Sequence, residues 1–500
     1  DHPFDLYNQM YNPMGRSGDT YFQQQTTQLR FTGAGSASIG DHAIQIGFEY
    51  EQRDERSYSI QPYTLWRLGR QLVNVQIEER SFVEGTFIEY PGAGGSGFSQ
   101  FLFQQSYNPD VHSQFDKNLR ESLGMSETGL NWIDFDSYGP DVWNIDMFTP
   151  DEIYTGARGL LSTFGYDHTG KKLSGNPSLN DFFTKKDGNG NFTRENPSFQ
   201  PIYIAGYIQD KFAFDDLIFN VGVRIDRYDA NQSVLKDKYS LFPVKTVAEI
   251  DGIPNRPSNI GDDFVVYVND VSDPKVSQIT GYRDGDTWYN ADGEEISDPA
   301  VLSSSGIPSP WLVDPNKNDV FRDLDESSFK DFEPQVNISP RVSFSFPISD
   351  EALFFAHYDI LTQRPSVGNR MDLLSYLNFQ GGGFSYFGVN NPINNPALKA
   401  EQTIDYELGF QQKLSNYSAL KLSAFYREFR NQVQMTQVVG ADPGNYFTYE
   451  NMDFGTVKGM TVSFDLRRKG NITMRAAYTL QFADGTGSSA TTSLGLVSSG

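Results

Sequence analysis

The 500-residue sequence contains no cysteine. This absence excludes disulfides, thiolate catalysis and cysteine-based metal sites, and it fits both cytosolic and cell-surface proteins. No run of 18 apolar residues occurs either, so the sequence predicts no transmembrane helix. The first residues lack the charged and then apolar pattern of a signal peptide. We therefore expect the sequence to be a mature or excised segment of a protein.

Basic residues are also scarce. The chain has 40 Lys and Arg against 64 Asp and Glu, a net charge of −24, which argues against a nucleic-acid partner. Apolar residues reach only 38%, yet 14% of the chain is aromatic, with 39 Phe and 27 Tyr. A disordered chain would lack these aromatics. Membrane β-barrels combine low hydropathy with aromatic belts, although aromatic-rich soluble β proteins share this composition.

The segment TIDYELGFQQK at 403–413 alternates between apolar and polar side chains. Ile404, Tyr406 and Leu408 share one parity, while Asp405 and Glu407 share the other. This alternation predicts a β-strand with one apolar face and one polar face. A soluble sandwich would bury the apolar face, whereas a membrane barrel would turn that face to lipid.

Five hairpins with long alternating strands and tight connections are predicted near residues 26–53, 202–228, 336–361, 402–430 and 457–483. The segments between them, 54–200, 229–334, 362–401 and 431–446, are long and polar. In an antiparallel meander, strict alternation of short and long connections places all long loops on one side. Outer-membrane barrels have this asymmetry, with short periplasmic turns and long extracellular loops. The fold is therefore predicted to be an all-β, transmembrane antiparallel barrel over residues 1–500.

Two helices are predicted inside the first long loop. Thr149, Pro150 and Glu152 have the spacing of an N-cap, a first helical residue and a capping box. Leu65, Leu68 and Leu72 recur at helical spacing. Both segments are predicted to be small helices packed within a folded loop.

The segment NPINNPALKAEQTIDYELGFQQK at 391–413 resembles the barrel of TonB-dependent outer-membrane receptors. The matching motif comprises Asn395, Pro396, Leu398, Lys399, Glu401, Tyr406, Glu407 and Gly409. Three further segments are similar to the same family: the mid-barrel hairpin at 206–226, the strand LKLSAFYREFRNQV, and the segment YENMDFGTVKGMTVSFDL. In the last of these, Thr461 stands where many members have Glu. The loop text at 148–184 looks like SusC-like receptors and those that contain a carboxypeptidase-regulatory domain.

The sequence also departs from that family. No plug domain, energy-coupling box or aromatic last strand is recognisable, and ten strands fall short of the family's 22. Either the chain represents a portion of a 22-stranded barrel, or the protein departs strongly from its relatives, and we expect the first.

Several short motifs favour ordinary turns over sites. GAGGSG at 92–97 lacks the strand and helix of a dinucleotide fingerprint. DGNGN at 187–191 has calcium-loop spacing, but Ser198 stands where an EF-hand requires Glu. The five histidines are scattered, and neither H-E-x-x-H nor G-x-S-x-G occurs. No catalytic residue, metal or cofactor is predicted.

All five tryptophans lie in the predicted long loops. Aromatic side chains on polar loops suit stacking on a sugar or peptide, or they pack the loops together. The candidate ligand-binding residues are Trp132, Trp288, Trp311, Phe384, Tyr386 and Phe387. The polar face of the strands is expected to line the lumen and hold a plug through Arg224, Asp226, Asp405, Glu407, Arg427 and Arg475.

The sequence predicts a non-enzymatic receptor in the outer membrane of a Gram-negative bacterium that captures a glycan, peptide or chelate for energised import. The resemblance implies coupling to an inner-membrane TonB complex, and lipid and lipopolysaccharide are expected to surround the barrel. One alternative is a structural or accessory subunit of a larger outer-membrane complex with a surface lipoprotein. Another is a soluble carbohydrate-active β enzyme.

Overall fold

The computed structural model describes residues 20–82, 88–90, 98–100, 103–156, 159–317, 319–377, 392–487 and 489–492. The chain divides into two compact units. Unit 1 comprises residues 1–25 and 55–198, and unit 2 comprises residues 26–54 and 199–500.

Most of the regular structure is β-strand. The strands are β1 (Tyr21–Ile39), β2 (His42–Ile60), β3 (Ile77–Phe82), β4 (Ile88–Tyr90), β5 (Phe98–Gln100), β6 (Phe103–Tyr107), β7 (Leu161–Phe164), β8 (Ile202–Phe214), β9 (Leu217–Asp229), β10 (Ser233–Leu235), β11 (Val265–Val268), β12 (Ile279–Asp284), β13 (Thr287–Asn290), β14 (Glu295–Ile296), β15 (Ser309–Pro310), β16 (Phe329–Asp331), β17 (Gln335–Ser349), β18 (Ala352–Gln363), β19 (Glu401–Ser415), β20 (Ser418–Val438), β21 (Tyr446–Lys469) and β22 (Ile472–Gly485).

The helices are short. They are α1 (Pro62–Leu72), α2 (Gln114–Ser122), α3 (Pro150–Gly156), α4 (Leu179–Thr184), α5 (Val320–Asp323) and α6 (Leu373–Leu377). Single 3₁₀ turns occupy Pro109–Val111, Phe135–Ser137, Ile145–Met147, Val247–Glu249, Val276–Gln278, Pro299–Leu302 and Glu326–Ser328. None of the helices within the described ranges is long and apolar enough to cross a membrane.

The largest sheet contains ten strands in the order β1-β2-β8-β9-β17-β18-β19-β20-β21-β22, and β7 pairs with the end of β2. Every neighbouring pair from β2 to β22 is antiparallel. Over the described ranges, β1 and β22 are the end strands of this sheet and do not pair with each other. Over the described ranges the sheet is thus the predicted antiparallel meander of ten long strands. The 22-stranded barrel of which it would be a portion stays a prediction.

Tight turns join the hairpins at one end of this meander. Residues 40–41, 215–216, 350–351, 416–417 and 470–471 are the two-residue connections between paired strands. Gly40, Asp215 and Gly470 have φ values of 60°, 49° and 63°, the left-handed geometry that two-residue hairpins require. The long connections 61–201, 230–334, 364–400 and 439–445 emerge at the other end. The long connections therefore all begin and end at the same end of the strands.

The apolar face of the main sheet is exposed rather than packed into a core. Ile46, Val221, Leu408 and Met474 are 56%, 40%, 55% and 48% exposed. Ile404, which lies nearer the loop end of β19, is buried. In water such a surface would be costly, since apolar area gains about 25 cal/mol per Å² when it is removed from water. The exposed face therefore has the character that contact with lipid requires.

In unit 2, the loop between β9 and β17 forms a small folded body. β10 and β16 pair at its base, and a five-stranded sheet in the order β14-β13-β12-β11-β15 lies between them. Its hydrophobic core is Val247, Ile250, Ile260, Phe264, Val266, Val268, Tyr282 and Trp311. This loop therefore has the internal packing of a small domain.

Unit 1 has its own core and confirms both predicted helices. In α1, Leu65 and Leu68 are buried. The capping box of α3 is formed by Thr149 and Glu152, whose backbone N–H groups donate to each other's side chains over 2.8 and 3.2 Å. The buried Asp116 carboxylate accepts from Arg120 Nε at 2.6 Å, together with other donors, so it is fully compensated.

Candidate functional site

The polar face of the main sheet holds the first charge cluster, which surrounds Arg224 on β9. The Arg224 guanidinium donates to Asp226 over 2.8 Å, to the Tyr203 hydroxyl over 2.8 Å and to Glu49 over 3.3 Å. Tyr203 in turn donates to Asp226. These side chains come from β2, β8 and β9, which are neighbours in the sheet. The predicted lumen residues Arg224 and Asp226 therefore lie together.

A second cluster lies on the same face at β18, β19 and β20. Arg427 Nε donates to Asp405 over 3.1 Å. His357 Nε2 lies 3.9 Å from Asp405 Oδ2 and 3.8 Å from Glu407 Oε2. The register pairs His357 with Glu407 and Asp405 with Arg427, which places all four side chains on one face. Three of the predicted lumen residues therefore come together around a histidine.

Arg475 lies apart from both clusters. It pairs with Asp465 over 2.8 Å on the hairpin β21–β22, and both side chains are largely exposed. An exposed pair of this kind contributes little to stability.

The polar face also contains a cavity of about 580 Å³. Gln45, Gln209, Asn220, Arg224, His357 and Asp359 are among its lining residues. Donors and acceptors of both charge signs thus face one open volume. Such a surface can hold a polar protein segment by hydrogen bonds and ion pairs.

The tryptophans proposed to bind a ligand occupy different environments. Trp132 in unit 1 is 68% exposed and remains available for stacking. Trp288 and Trp311 are only 4% and 9% exposed. Trp288 packs against Tyr239 and Tyr267 at ring distances of 5.1 and 4.8 Å. Their burial favours the second role considered for these tryptophans, which is packing of the loop.

Phe384, Tyr386 and Phe387 lie outside the described residues, and so does the GAGGSG segment. The DGNGN segment forms a tight turn, because Asp187 Oδ1 accepts from the backbone N–H groups of Asn189 and Asn191 over 2.9 Å each. No group of three or more His, Asp or Glu side chains suited to a metal ion is found in the described parts of the chain.

The small folded body formed by the loop between β9 and β17 is called the loop body. Charged side chains at its base are paired with groups of opposite charge. Lys238 Nζ lies 2.7 Å from Glu450 and 2.9 Å from Asp286. Burial alone would raise the pKa of the Asp286 carboxyl, but the hydrogen bond and charge of Lys238 outweigh burial and lower that pKa. The buried Arg283 donates to the Tyr267 hydroxyl over 2.9 Å and to Asp237. Burial raises the pKa of the Tyr267 phenol, so the phenol is neutral at physiological pH.

Asp442, in the loop between β20 and β21, lacks such compensation. Desolvation raises the pKa of its carboxyl to about 6. Its backbone is fixed by hydrogen bonds to Tyr239 and Leu241 of 3.0 and 3.2 Å. The carboxylate is therefore a destabilising charge at neutral pH.

Sequence reasoning missed several residues of the polar clusters. Glu49, Tyr203 and His357 contact the predicted residues, but none of them has a recognisable motif. Their parity within the strands was available from the sequence. The inter-strand register that places His357 opposite Glu407 was not.

Comparisons with known proteins agree with this architecture. A family model described as "TonB dependent receptor-like, beta-barrel" matches residues 2–496. No curated protein matches the sequence.

Several solved structures are similar to this chain over part of their own length. The copper transporter OprC is 8% identical, with 93% of this chain and 39% of that chain covered and a TM-score of 0.36. The FrpB iron transporter from Neisseria meningitidis (F3-3 variant) is 9% identical, with 93% and 36% covered and a TM-score of 0.34. The alcaligin outer-membrane receptor FauA from Bordetella pertussis is 8% identical, with 94% and 41% covered and a TM-score of 0.34. The chain spans about two fifths of the length of these proteins.

Proposed function

We propose, from the premise that this chain belongs to the TonB-dependent receptor-like β-barrel family, that it captures a solute at the cell surface for energised import. Proteins of this family are outer-membrane proteins of Gram-negative bacteria, and this chain is one of them. Import is supported by the architecture of the main sheet. One face is apolar and exposed, the other carries linked charges, and all long loops emerge at one end.

The proposed mechanism assigns a role to each face. The apolar face contacts lipid and lipopolysaccharide, and the sheet forms part of a 22-stranded barrel. The polar face binds a plug through Arg224, Asp226, Asp405, Glu407, Arg427 and Arg475. An inner-membrane TonB complex pulls on that plug and opens a path for the solute.

The long loops would capture the solute. Trp132 is the most exposed of the candidate aromatic residues described, and its indole is free to stack on a sugar or peptide. Phe384, Tyr386 and Phe387 remain proposed contacts. The loop text at 148–184 supports a SusC-like receptor, for which a surface lipoprotein would be a partner and a glycan or peptide the solute.

The test is growth of a strain that lacks the gene. The strain is grown on a panel of glycans, peptides and ferric chelates, each as the sole source of carbon, nitrogen or iron. Loss of growth on one solute is expected, with recovery when the gene is restored and no recovery when the cell also lacks TonB. Normal uptake of every solute would count against import.

A further inference from the structure

Unit 2 contains a second cavity, which shares no lining residue with the first and whose lining is rich in lysine. Its volume is about 520 Å³, within the roughly 300–1,000 Å³ of small-molecule sites. Lys236, Lys238, Lys330 and Lys399 line it, together with Asn394. These lysines belong to the loop after β9, to β16 and to the segment before β19. They form no single sequence motif. We refer to it as the lysine cavity.

Backbone hydrogen bonds fix the walls of the lysine cavity. Val234 pairs with Lys330 in the β10–β16 ladder. Ile393 N–H donates to the Phe447 carbonyl over 2.8 Å, so the segment before β19 is attached to β21. The Asn451 side chain accepts from Lys399 N–H over 2.7 Å and donates to the Lys399 carbonyl over 3.0 Å. The backbones of Lys330 and Lys399 are therefore held in place without a ligand.

Only one of the four lysines is compensated inside the cavity. Lys238 is bound by Glu450 and Asp286, which also line it. Lys330 pairs over 3.2 Å with Glu333, a largely exposed side chain, and such pairs are weak. Lys236 donates to the Ser327 carbonyl over 2.6 Å. No acid among the described residues lies within ion-pair distance of Lys236 or Lys399. Four cations against two anions leave the lining positive.

This positive lining contrasts with the surrounding sequence. The whole chain has a net charge of −24, and residues 229–333 hold 21 acids against nine bases. Three of those nine bases, Lys236, Lys238 and Lys330, line the lysine cavity. Like charges gathered in a concave site raise the local concentration of anions, because the walls of the site focus the field.

We propose that the lysine cavity binds an oxyanion group, a carboxylate, phosphate or sulfate, of the captured solute. Three ammonium groups with Asn394 supply the donors, and lysine binds such groups as a point charge. This inference rests on the proposed function and narrows its solute to an anionic one.

The test measures binding of small probes to the protein purified from membranes in a non-ionic detergent. Digalacturonate supplies carboxylates, pyrophosphate supplies phosphates, and maltose is the neutral control. The variant is the triple substitution Lys236→Gln, Lys330→Gln and Lys399→Gln, which leaves the Lys238 ion pairs intact. Its matched control is Lys185→Gln, Lys275→Gln and Lys317→Gln, three exposed lysines that pair with acids elsewhere.

At about 20 mM salt, we expect one or both anions to bind the wild type and the control with the same affinity. The cavity variant should bind at least about tenfold more weakly, and binding should weaken as salt rises, because exposed charges are screened. Binding of digalacturonate alone would identify a carboxylate site, and binding of both anions a general oxyanion site. Failure of both anions to bind, equal binding of maltose, or equal loss in the two triple variants would overturn the proposal.

The growth test of import separates this inference from the proposed function. A neutral solute that requires the gene for uptake, with no anion binding, would remove the lysine cavity proposal alone. Anion binding without any growth defect would instead contradict import.

Discussion

Arg283 is a buried cation whose partners all belong to the loop body of unit 2. Its guanidinium donates to Asp237, to the Tyr267 hydroxyl and to the Gly285 carbonyl. It also lies 4.6 Å from the Tyr239 ring and 5.6 Å from the Trp288 ring. This single side chain therefore connects the start of the loop to the strands β11, β12 and β13.

Replacing Arg283 should destabilise this loop. Arg283→Gln removes the cation and leaves Asp237 without its partner, a change that typically costs about 3 kcal/mol. The midpoint of urea unfolding, followed by tryptophan fluorescence, should fall. The matched control is Arg322→Gln, because Arg322 is 82% exposed and makes one 3.5 Å ion pair. Equal midpoints for the two variants would contradict the structural role of Arg283.

Asp442 provides a pH-dependent prediction. The pKa of its carboxyl is about 6 in the folded protein, against about 3.9 when the chain is unfolded. Between these values the folded state binds the proton and the unfolded state does not, so this carboxyl reduces stability as the pH rises from 4 to 6. Asp442→Asn should therefore stabilise the protein by about 2–3 kcal/mol at pH 7.5 and leave it unchanged near pH 4.

Thermal unfolding at the two pH values measures the effect of Asp442→Asn. Asp251→Asn, at an exposed position in the loop between β9 and β17, is the control and should give no gain at either pH. A gain for Asp442→Asn that is equal at both pH values would show that the carboxyl does not titrate as described.

At the scale of elements, the alternation of side chains predicted the hairpins because each strand has different surroundings on its two faces. The alternation is lost where the two faces of a strand no longer differ in their surroundings. β20 continues to Val438 and β21 begins at Tyr446, whereas the sequence predicted a loop from 431 to 446. Met435, Val438 and Phe447 are buried there. Because these side chains are buried in the protein, the two faces of the strands no longer meet lipid and water. Alternation of apolar and polar residues is therefore not expected there.

The loop body and the lysine cavity were beyond sequence reasoning for a related reason. The strands β11 to β15 have two to six residues, which is too short for periodicity to show. The lysines at 236, 238, 330 and 399 span more than 160 residues of the sequence and come together only in the folded structure. Residue type alone selected Trp288 and Trp311 as ligand contacts, but it could not reveal their burial.

The two faces of β2 make the orientation of the sheet testable. Ile46 lies on the exposed apolar face, and its neighbour Gln45 lines the cavity on the polar face. Ile46→Arg should cost about 2–4 kcal/mol if it faces the centre of a bilayer, whereas Gln45→Arg should cost little in a wet lumen. The folded fraction in outer membranes, read from heat-modifiable gel mobility, should fall for Ile46→Arg alone. A loss for Gln45→Arg alone would reverse the assignment of the faces.

At the scale of the whole molecule, the main sheet should assemble without the folded part of unit 1. The ladder between β2 and β8 runs from the pair His42 and Phe212 to the pair Gln52 and Ile202, and Arg53 N–H donates to the Pro201 carbonyl over 3.2 Å. Asp54 and Phe199 therefore lie close enough for a Gly-Ser linker to replace residues 55–198. Since unit 1 has its own core and its own polar network, its removal should leave the register of the sheet intact.

The folded, heat-modifiable band of this deletion variant in outer membranes should stay within about twofold of the wild type, because the ladder hydrogen bonds that hold β2 to β8 are retained. The positive control is Ile208→Pro in the full-length chain. Proline removes a ladder donor in a central strand and should abolish the folded band. Loss of the band in the deletion variant, at a level like that of Ile208→Pro, would mean that residues 55–198 are required for the sheet to form.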